Sequence, residues 1–465
     1  MKSLLQGALA FGAILALMLI AVALRASTPQ TGLVQSNLGT PPASAPPPAQ
    51  QAGDTGGDWP MYGHDPQHTG YNPDESLIGP RNVGQVVPRW QVAVGSSDYP
   101  SSSTPSVAHG RVYLGSSVPA GPNFFAFEAT TGAPAWSADL GYLVSCEKVG
   151  IGSTAAISGT VLAVGGGDGA YYGLDAQTGA SLWREPLDVG PSGFAWESPL
   201  LARGRAYLGT ASYCDNPTVR GEIRAVDMLS GKVVARQYIV PDGKAGGGIW
   251  NSPALSPDGS VLALAAGEDA QGDDGPYSHA LLTLDLLSLN VMQHRQQDLT
   301  GGDLGYASSP VIFHDRSNRL LVGASHKDGH FYTFELGNVN KGPIWSRSAQ
   351  YSVGMLAGYD PTVGDGGALF LTGKDGSLYT VDPATGNDIR PKAVVGNLHG
   401  NLAIANGLIF ADAGVDGLSI YNDRDGALLR TLLPAHAGIG YSGVAIAHGF
   451  IYWVSGGYLN AWSLP

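Results

Sequence analysis

The sequence predicts an all-β protein, an eight-bladed β-propeller of four-stranded antiparallel blades. Three observations support this prediction: a composition suited to short strands, an internal repeat, and a spare strand that completes the last copy of that repeat. The 465 residues include 67 Gly and 31 Pro, and only 14% are charged while 43% are hydrophobic. This mixture is too apolar for a disordered chain and too rich in Gly and Pro for long helices.

The repeat is clearest in four segments, FFAFEATTGAPAW (124–136), YYGLDAQTGASLW (171–183), IRAVDMLSGKVV (223–234) and LYTVDPATGNDI (378–389). Each is a strand, an acidic residue, a turn ending in Gly and a second strand, and this Gly supplies the positive φ of a tight hairpin. With weaker copies included, the aligned positions are Glu128, Asp175, Asp227, Asp285, Glu335, Asp382, Asn422 and Ser463. Their separations of 40 to 58 residues suit four short strands each, so the eight copies predict eight blades.

The last copy stops after its third strand, at Pro465. Its missing outer strand is available near the other end of the chain, where VVPRWQVAV (86–94) carries Trp90. Tryptophans recur on the outer strands of other copies, at Trp136, Trp183 and Trp345. We therefore expect residues 86–94 to close the ring, and these indoles to dock onto neighbouring blades.

The amino terminus has the pattern of an export signal. Lys2 precedes an apolar run from Ala8 to Leu24, and Arg25 follows it; this predicts a signal peptide or an uncleaved anchor over residues 1–26. Residues 27–57 are rich in Pro, Ala, Ser and Gly and predict a flexible linker. We expect a propeller over 58–465, outside the cytoplasm in the periplasm or at the cell surface. If the N-terminal segment is not cleaved, it tethers the propeller to the inner membrane.

Charge and cysteine content restrict the partners. The net charge of −13 argues against nucleic-acid binding, which needs a basic surface for the phosphate backbone. The two cysteines, Cys146 and Cys214, are candidates for a disulfide in an exported protein, because the predicted fold puts both in loops on one face. We therefore expect the partner of this protein to be a small-molecule substrate.

The segment WPMYGHDPQHTGYNP (59–73) and the AxDxxTGxxxW-like repeats resemble the pyrroloquinoline-quinone (PQQ) repeat propellers. The resemblance covers nearly everything from Asp58 to Pro465. That superfamily includes quinone-dependent alcohol and polyvinyl-alcohol dehydrogenases, tetrathionate hydrolases and the outer-membrane assembly lipoprotein. One propeller thus hosts redox chemistry, hydrolysis and scaffolding, so function has to be argued from the site.

The resemblance implies a set of site residues. Trp250, in the segment 246–271, matches the tryptophan that stacks on the quinone, and the family's asparagine ligand of Ca²⁺ falls at Glu268, a carboxylate that can bind a hard cation. Asp303 matches the catalytic aspartate that takes the alcohol proton. Lys327 matches the basic residue that touches the quinone oxygens. PQQ and Ca²⁺ are therefore the implied cofactors. The vicinal Cys pair and a CxxCH haem motif do not occur in this sequence, so a dehydrogenase of this kind would need an external electron acceptor.

Plainer interpretations of the same residues stay open. Trp250 is also typical of core packing, Glu268 of a solvated acidic loop, and Asp303 of a turn cap. The Lys-Asp-Gly run at Lys327 recurs at 374–376 and is typical of a hairpin.

Three functions follow from these observations. The first is a quinoprotein-like dehydrogenase with Asp303 as base. The second is a cofactor-free hydrolase of the tetrathionate-hydrolase type, in which Asp303 acts on a sulfur compound and Lys327 attracts the anionic substrate. The third is a non-catalytic binding or assembly scaffold. The two catalytic hypotheses require the ring to bring Trp250, Glu268, Asp303 and Lys327 to the mouth of one cavity.

Overall fold

The chain forms eight β-sheets, and each is a blade built on four antiparallel strands. The computed structural model describes residues 57–95, 103–119, 121–143, 150–187, 192–213, 218–268, 275–297, 304–348, 357–373, 375–396, 400–438 and 442–465. The helices in these ranges are three short 3₁₀ turns, Val83–Gln85, Leu336–Lys341 and Gly414–Asp416. None of the helices in the described part of the chain is long and apolar enough to cross a bilayer.

Within each blade the strands follow in chain order, and the inner strand comes first except in blade 3, where the extra strand β11 precedes the inner strand β12. Two strands precede the blades, β1 (Tyr71–Asn72) and β2 (Val87–Ala93). Blades 1 to 4 contain β3 (Ser106–Ala108), β4 (Arg111–Gly115), β5 (Phe124–Glu128) and β6 (Pro134–Ala138); β7 (Ala156–Ser158), β8 (Val161–Gly165), β9 (Tyr171–Asp175) and β10 (Ser181–Glu185); β11 (Gly193–Phe194), β12 (Leu200–Ala202), β13 (Arg205–Ser212), β14 (Glu222–Asp227) and β15 (Val233–Tyr238); and β16 (Ala254–Leu255), β17 (Val261–Ala265), β18 (Ala280–Asp285) and β19 (Val291–Gln296). Blades 5 to 8 contain β20 (Val311–His314), β21 (Leu320–Ser325), β22 (His330–Glu335) and β23 (Trp345–Ser348); β24 (Gly358–Asp360), β25 (Ala368–Thr372), β26 (Ser377–Val381) and β27 (Asp388–Val394); β28 (Ala403–Ala405), β29 (Leu408–Asp412), β30 (Leu418–Asn422) and β31 (Leu428–Leu432); and β32 (Ala445–Ala447), β33 (Phe450–Ser455) and β34 (Tyr458–Ser463).

The eight repeat positions end or directly follow the third strands of the blades, which confirms the predicted architecture. The ring closes as the sequence predicted, because β2 pairs antiparallel with β34 and places Trp90 opposite Ala461. Blade 8 is therefore built from both ends of the propeller. Extra strands occur in blade 3, where β11 also pairs with β13, and in blade 7, where β1 pairs with β28.

The outer-strand tryptophans dock onto the next blade, as predicted. The indole of Trp136 donates a hydrogen bond to the carbonyl of Ala176 at 3.1 Å, and Trp90 makes the equivalent bond across the closure, to Ala129 at 3.0 Å. Gly179 turns at φ +72°, and a Cβ there would lie 2.5 Å from the Trp136 indole. The Thr-Gly turn thus needs Gly both for its backbone conformation and for the close approach of the neighbouring tryptophan.

Hydroxyl groups link the starts of the inner strands of blades 1 to 5. We call these residues the belt: Thr104, Thr154, Ser198, Ser252 and Ser309. The backbone N–H of each of the first four donates to the hydroxyl of the next at 2.9 Å. Each belt residue precedes the inner strand of its blade. These bonds fix the blades to one another around the central channel.

A segment before the first blade runs along the inner strands. We call residues 57–72 the strap. Its backbone accepts hydrogen bonds from one blade after another, among them Pro60 from Ile157, Pro66 from Leu255 and Gly70 from Ile404. At its end the amide of Asn72 donates to the carbonyl of Ile446 in blade 8, at 2.8 Å. The strap therefore follows the ring of blades on its inner side and ties their inner strands together.

Candidate functional site

The strands of each blade alternate in direction, so the loops that precede the inner strands share one face with the loops between the second and third strands. We call this face the mouth. Trp250 and Glu268 come from the two mouth loops of blade 4, and Lys327 comes from blade 5. The predicted residues that the structure describes therefore lie at the same end of the propeller.

Backbone hydrogen bonds position Trp250 between blades 3 and 4. The N–H of Ile249 donates to the carbonyl of Thr210 at 2.9 Å, and the N–H of Gly247 donates to the carbonyl of Glu268 at 2.7 Å. A Cβ added at Gly267 would be 3.4 Å from the Trp250 indole, which is ordinary van der Waals contact. The indole is partly exposed, so it lines the mouth and is not a buried core side chain.

A third segment brings blade 5 against Glu268. The N–H of Tyr306 donates to the carbonyl of Ala266 at 3.2 Å, and the N–H of Lys327 donates to the carbonyl of Gly305 at 3.1 Å. A Cβ at Gly305 would lie 2.6 Å from the backbone nitrogen of Glu268. Only Gly allows this approach, so the conformation of the 304–306 segment is set by the packing of blade 4 against blade 5.

The three side chains meet at this junction, and we call Trp250, Glu268 and Lys327 the mouth cluster. The ammonium Nζ of Lys327 lies 3.3 Å from Oε2 of Glu268 and 5.5 Å from the centroid of the Trp250 ring. The side chain of Lys327 is 12% exposed and that of Glu268 is 24% exposed. A cation over an aromatic face, in a partly buried position, is suited to bind a flat, negatively charged molecule.

The hairpin interpretation of the Lys-Asp-Gly run holds for its second residue. Oδ1 of Asp328 accepts the N–H of His330 at 2.9 Å, and Asp375 in blade 6 accepts the N–H of Ser377 in the same way at 3.1 Å. The aspartate therefore makes the turn, while the preceding Lys327 directs its ammonium to the mouth cluster.

Several predicted residues lie outside the described part of the chain. They are Asp303, Cys146 and Cys214. The base and the disulfide therefore stay predictions. Asp303 stands two residues before Gly305, whose backbone packs against Glu268.

Glu197, which directly precedes the belt Ser198, turns towards blade 2. Its Oε1 accepts hydrogen bonds from the Tyr171 hydroxyl at 2.6 Å and from the N–H of Gly209 at 2.9 Å. Burial raises the pKa of this carboxyl to about 8, although both hydrogen bonds lower it. Its contacts are those of a carboxyl that joins neighbouring blades.

Sequence reasoning missed a second aromatic residue at the mouth. Trp196 stands two residues before the belt Ser198, as Trp250 stands two before Ser252. Its indole donates to the carbonyl of Ser212 at 2.8 Å and stacks on Tyr213 at 5.9 Å. The signal was present in the paired motifs Trp-Glu-Ser-Pro (196–199) and Trp-Asn-Ser-Pro (250–253).

A metal site needs several ligand side chains that converge on one point. In the described ranges no three His, Cys, Asp or Glu side chains converge as a possible metal site. Glu268 is the one predicted ligand, and it already pairs with Lys327.

Comparison with known proteins gives matches in both sequence and structure. A PQQ_2 family model, described as the outer membrane protein assembly factor BamB, matches residues 88–270. A polyvinylalcohol dehydrogenase of a Pseudomonas species is 23% identical over 219 residues, which cover 38% of this chain and 34% of that protein. A quinohemoprotein alcohol dehydrogenase of Comamonas testosteroni is 26% identical over 353 residues, covering 65% of this chain and 48% of that protein.

A solved structure supports the same architecture. The quinohemoprotein alcohol dehydrogenase ADHIIG of Pseudomonas putida HK5 superimposes with a TM-score of 0.73 at 16% identity, covering 88% of this chain and 80% of that one. The chain spans about half or less of the length of these two curated relatives, 34% of the first and 48% of the second. These matches confirm the resemblance to PQQ-repeat propellers that the repeats predicted, and the structure shows the eight-bladed propeller fold.

Proposed function

We propose that this protein is a quinoprotein-like oxidoreductase that oxidises an alcohol at the mouth of the propeller. The observation that carries the proposal is the mouth cluster, in which the Lys327 ammonium stands 5.5 Å above the ring of Trp250. The names of the sequence relatives, polyvinylalcohol dehydrogenase and quinohemoprotein alcohol dehydrogenase, supply the reaction class. We also propose that the protein is exported, because its apolar run over residues 8–24 has the pattern of an export signal.

The mouth cluster fits PQQ, which is a flat quinone bearing carboxylates. Trp250 offers a partly exposed indole face for the ring system, and Lys327 offers a cation for its oxygen atoms. When bound, the quinone is the acceptor of the hydride that leaves the alcohol carbon. The chain's own contribution is to orient the rings on Trp250 and to hold positive charge at Lys327.

Proton removal is assigned to Asp303. An alcohol loses one proton from oxygen and a hydride from carbon to become a carbonyl compound, so a base is needed beside the cluster. Asp303 is close in sequence to Gly305, which packs against the Glu268 backbone. An external acceptor would be needed for the two electrons, as the sequence predicts.

Asp303→Asn in the full-length protein tests this function. We expect it to reduce dye reduction with alcohols by about 10²–10⁴-fold and to leave quinone binding, followed by tryptophan fluorescence, unchanged. Asp242→Asn is the matched control because that side chain is fully exposed, at 101%, and we expect wild-type turnover. Unchanged turnover in Asp303→Asn would remove the proposed base.

Assays of the same full-length protein distinguish two other functions from this one. The BamB description of the matched family model favours an assembly scaffold as the second candidate, and that function predicts neither quinone binding nor turnover. Hydrolysis of tetrathionate at acidic pH, lost in Asp303→Asn and independent of added quinone, would instead favour the cofactor-free hydrolase.

A further inference from the structure

Glu268, which the resemblance implies as a metal ligand, forms an ion pair within the protein. Oε2 of Glu268 lies 3.3 Å from Nζ of Lys327, and the ammonium also faces the ring of Trp250. The positive charge of the mouth cluster therefore comes from a side chain that is held on two sides.

A calcium ion would compete with this arrangement. Ca²⁺ binds six to eight oxygens at about 2.3–2.6 Å, so a cation on the Glu268 carboxylate would share it with the Lys327 ammonium at close range. Two positive charges a few ångströms apart repel each other strongly in a partly buried site. A metal on Oε1 of Glu268 would therefore stand close to the Lys327 ammonium that Oε2 holds.

The degree of burial distinguishes this pair from a surface ion pair. A comparable group exists on the outer strand of blade 6, where Nζ of Lys392 lies 2.6 Å from Oδ2 of Asp375 and 5.3 Å from the Tyr379 ring centroid. The Lys392 side chain is 45% exposed, however, whereas that of Lys327 is 12% exposed. Burial strengthens both the ion pair and the cation–π contact at the mouth.

We propose that Lys327, held by Glu268, takes the place of the divalent cation, so that the mouth binds its flat, carboxylate-bearing ligand without a metal. This inference rests on the proposed function and specifies the charge that the site uses. It also gives a physical reason for a carboxylate at position 268: the acid anchors the lysine.

The test is the affinity of the full-length protein for PQQ, measured by quenching of tryptophan fluorescence with EGTA and again with excess Ca²⁺. We expect the two dissociation constants to agree within about twofold. Lys327→Met should weaken binding by about tenfold in both buffers, and Lys327→Arg should restore most of the affinity because it keeps the cation.

Two further variants control the result. Lys392→Met removes the same side chain from the comparable group on the outer strand, and we expect no change in affinity. Glu268→Gln keeps the shape of the anchor and removes its charge, and we expect its dissociation constants in EGTA and in excess Ca²⁺ to agree with each other within about twofold, because no metal takes part in binding. Circular dichroism and thermal unfolding check that each variant is folded.

The possible outcomes separate the two proposals. Binding that tightens tenfold or more with Ca²⁺, or that is lost in Glu268→Gln and unaffected in Lys327→Met, would overturn the metal-free site while leaving quinone binding intact. Absence of quinone binding in both buffers would instead remove the proposed function, and this inference with it.

Discussion

At the mouth, residues at the same position of the repeat have different roles in different blades. Glu197 and Asn251 both directly precede a belt serine. Asn251 donates its amide to the carbonyl of Tyr306 at 3.1 Å, whereas Glu197 accepts from Tyr171 and Gly209. Each side chain joins two blades, but only the carboxyl can titrate.

This titration gives a prediction about stability. Burial raises the pKa of Glu197 from 4.5 to about 8 in the folded protein, so the folded state keeps a proton that the unfolded state releases above pH 4.5. The contribution of this group to stability is complete below that pH and is lost as the pH rises to about 8. Glu197→Gln cannot titrate, and it keeps an oxygen acceptor for Tyr171 and Gly209.

Thermal unfolding at pH 5, 7 and 9 measures the effect. We expect Glu197→Gln to gain stability relative to wild type as the pH rises, by on the order of 1–3 kcal/mol at pH 9. Glu128→Gln, at a carboxyl that is 46% exposed, should show a difference from wild type that does not change across this range. A constant difference for Glu197→Gln as well would contradict a protonated buried carboxyl.

At the scale of elements, the strap is the feature that the sequence did not predict. Residues 59–73 were recognised as a family motif, but their role comes from single hydrogen bonds to different blades, such as Pro60 to Ile157 and Gly70 to Ile404. These partners are about a hundred to more than three hundred residues away in sequence, and no periodic pattern marks them. By contrast, the closing strand β2 was predictable because Trp90 repeats the position of the outer-strand tryptophans.

Asn72 should be a critical residue of the strap. Its amide donates to the carbonyls of Gly57 and Ile446 and its Oδ1 accepts the N–H of Asp74, and it is fully buried. Asn72→Ala leaves these groups without partners, so we expect a loss of about 2–3 kcal/mol in the free energy of unfolding. The measurement is denaturant-induced unfolding, with Asn290→Ala at an exposed turn as a control that changes stability by less than about 0.5 kcal/mol. Equal effects of the two substitutions would mean that the strap does not stabilise the ring.

At the scale of the whole molecule, the ring converts distant residues into neighbours. Glu268 and Lys327 are 59 residues apart in sequence, and they meet because each occupies the mouth loop of its own blade. The sequence predicted the blade count, the closure and the mouth face from the repeats. It could not predict the ion pair, because the repeat places residues on a face but does not determine which side chains touch there.

The account depends most on the mouth being the place where the quinone binds. An experimental structure of the full-length protein with bound PQQ tests this directly. We predict that the ring system stacks on the indole of Trp250 and that its oxygen atoms lie within hydrogen-bonding distance of Nζ of Lys327. A quinone bound at another face of the propeller, or one that contacts neither side chain, would contradict it.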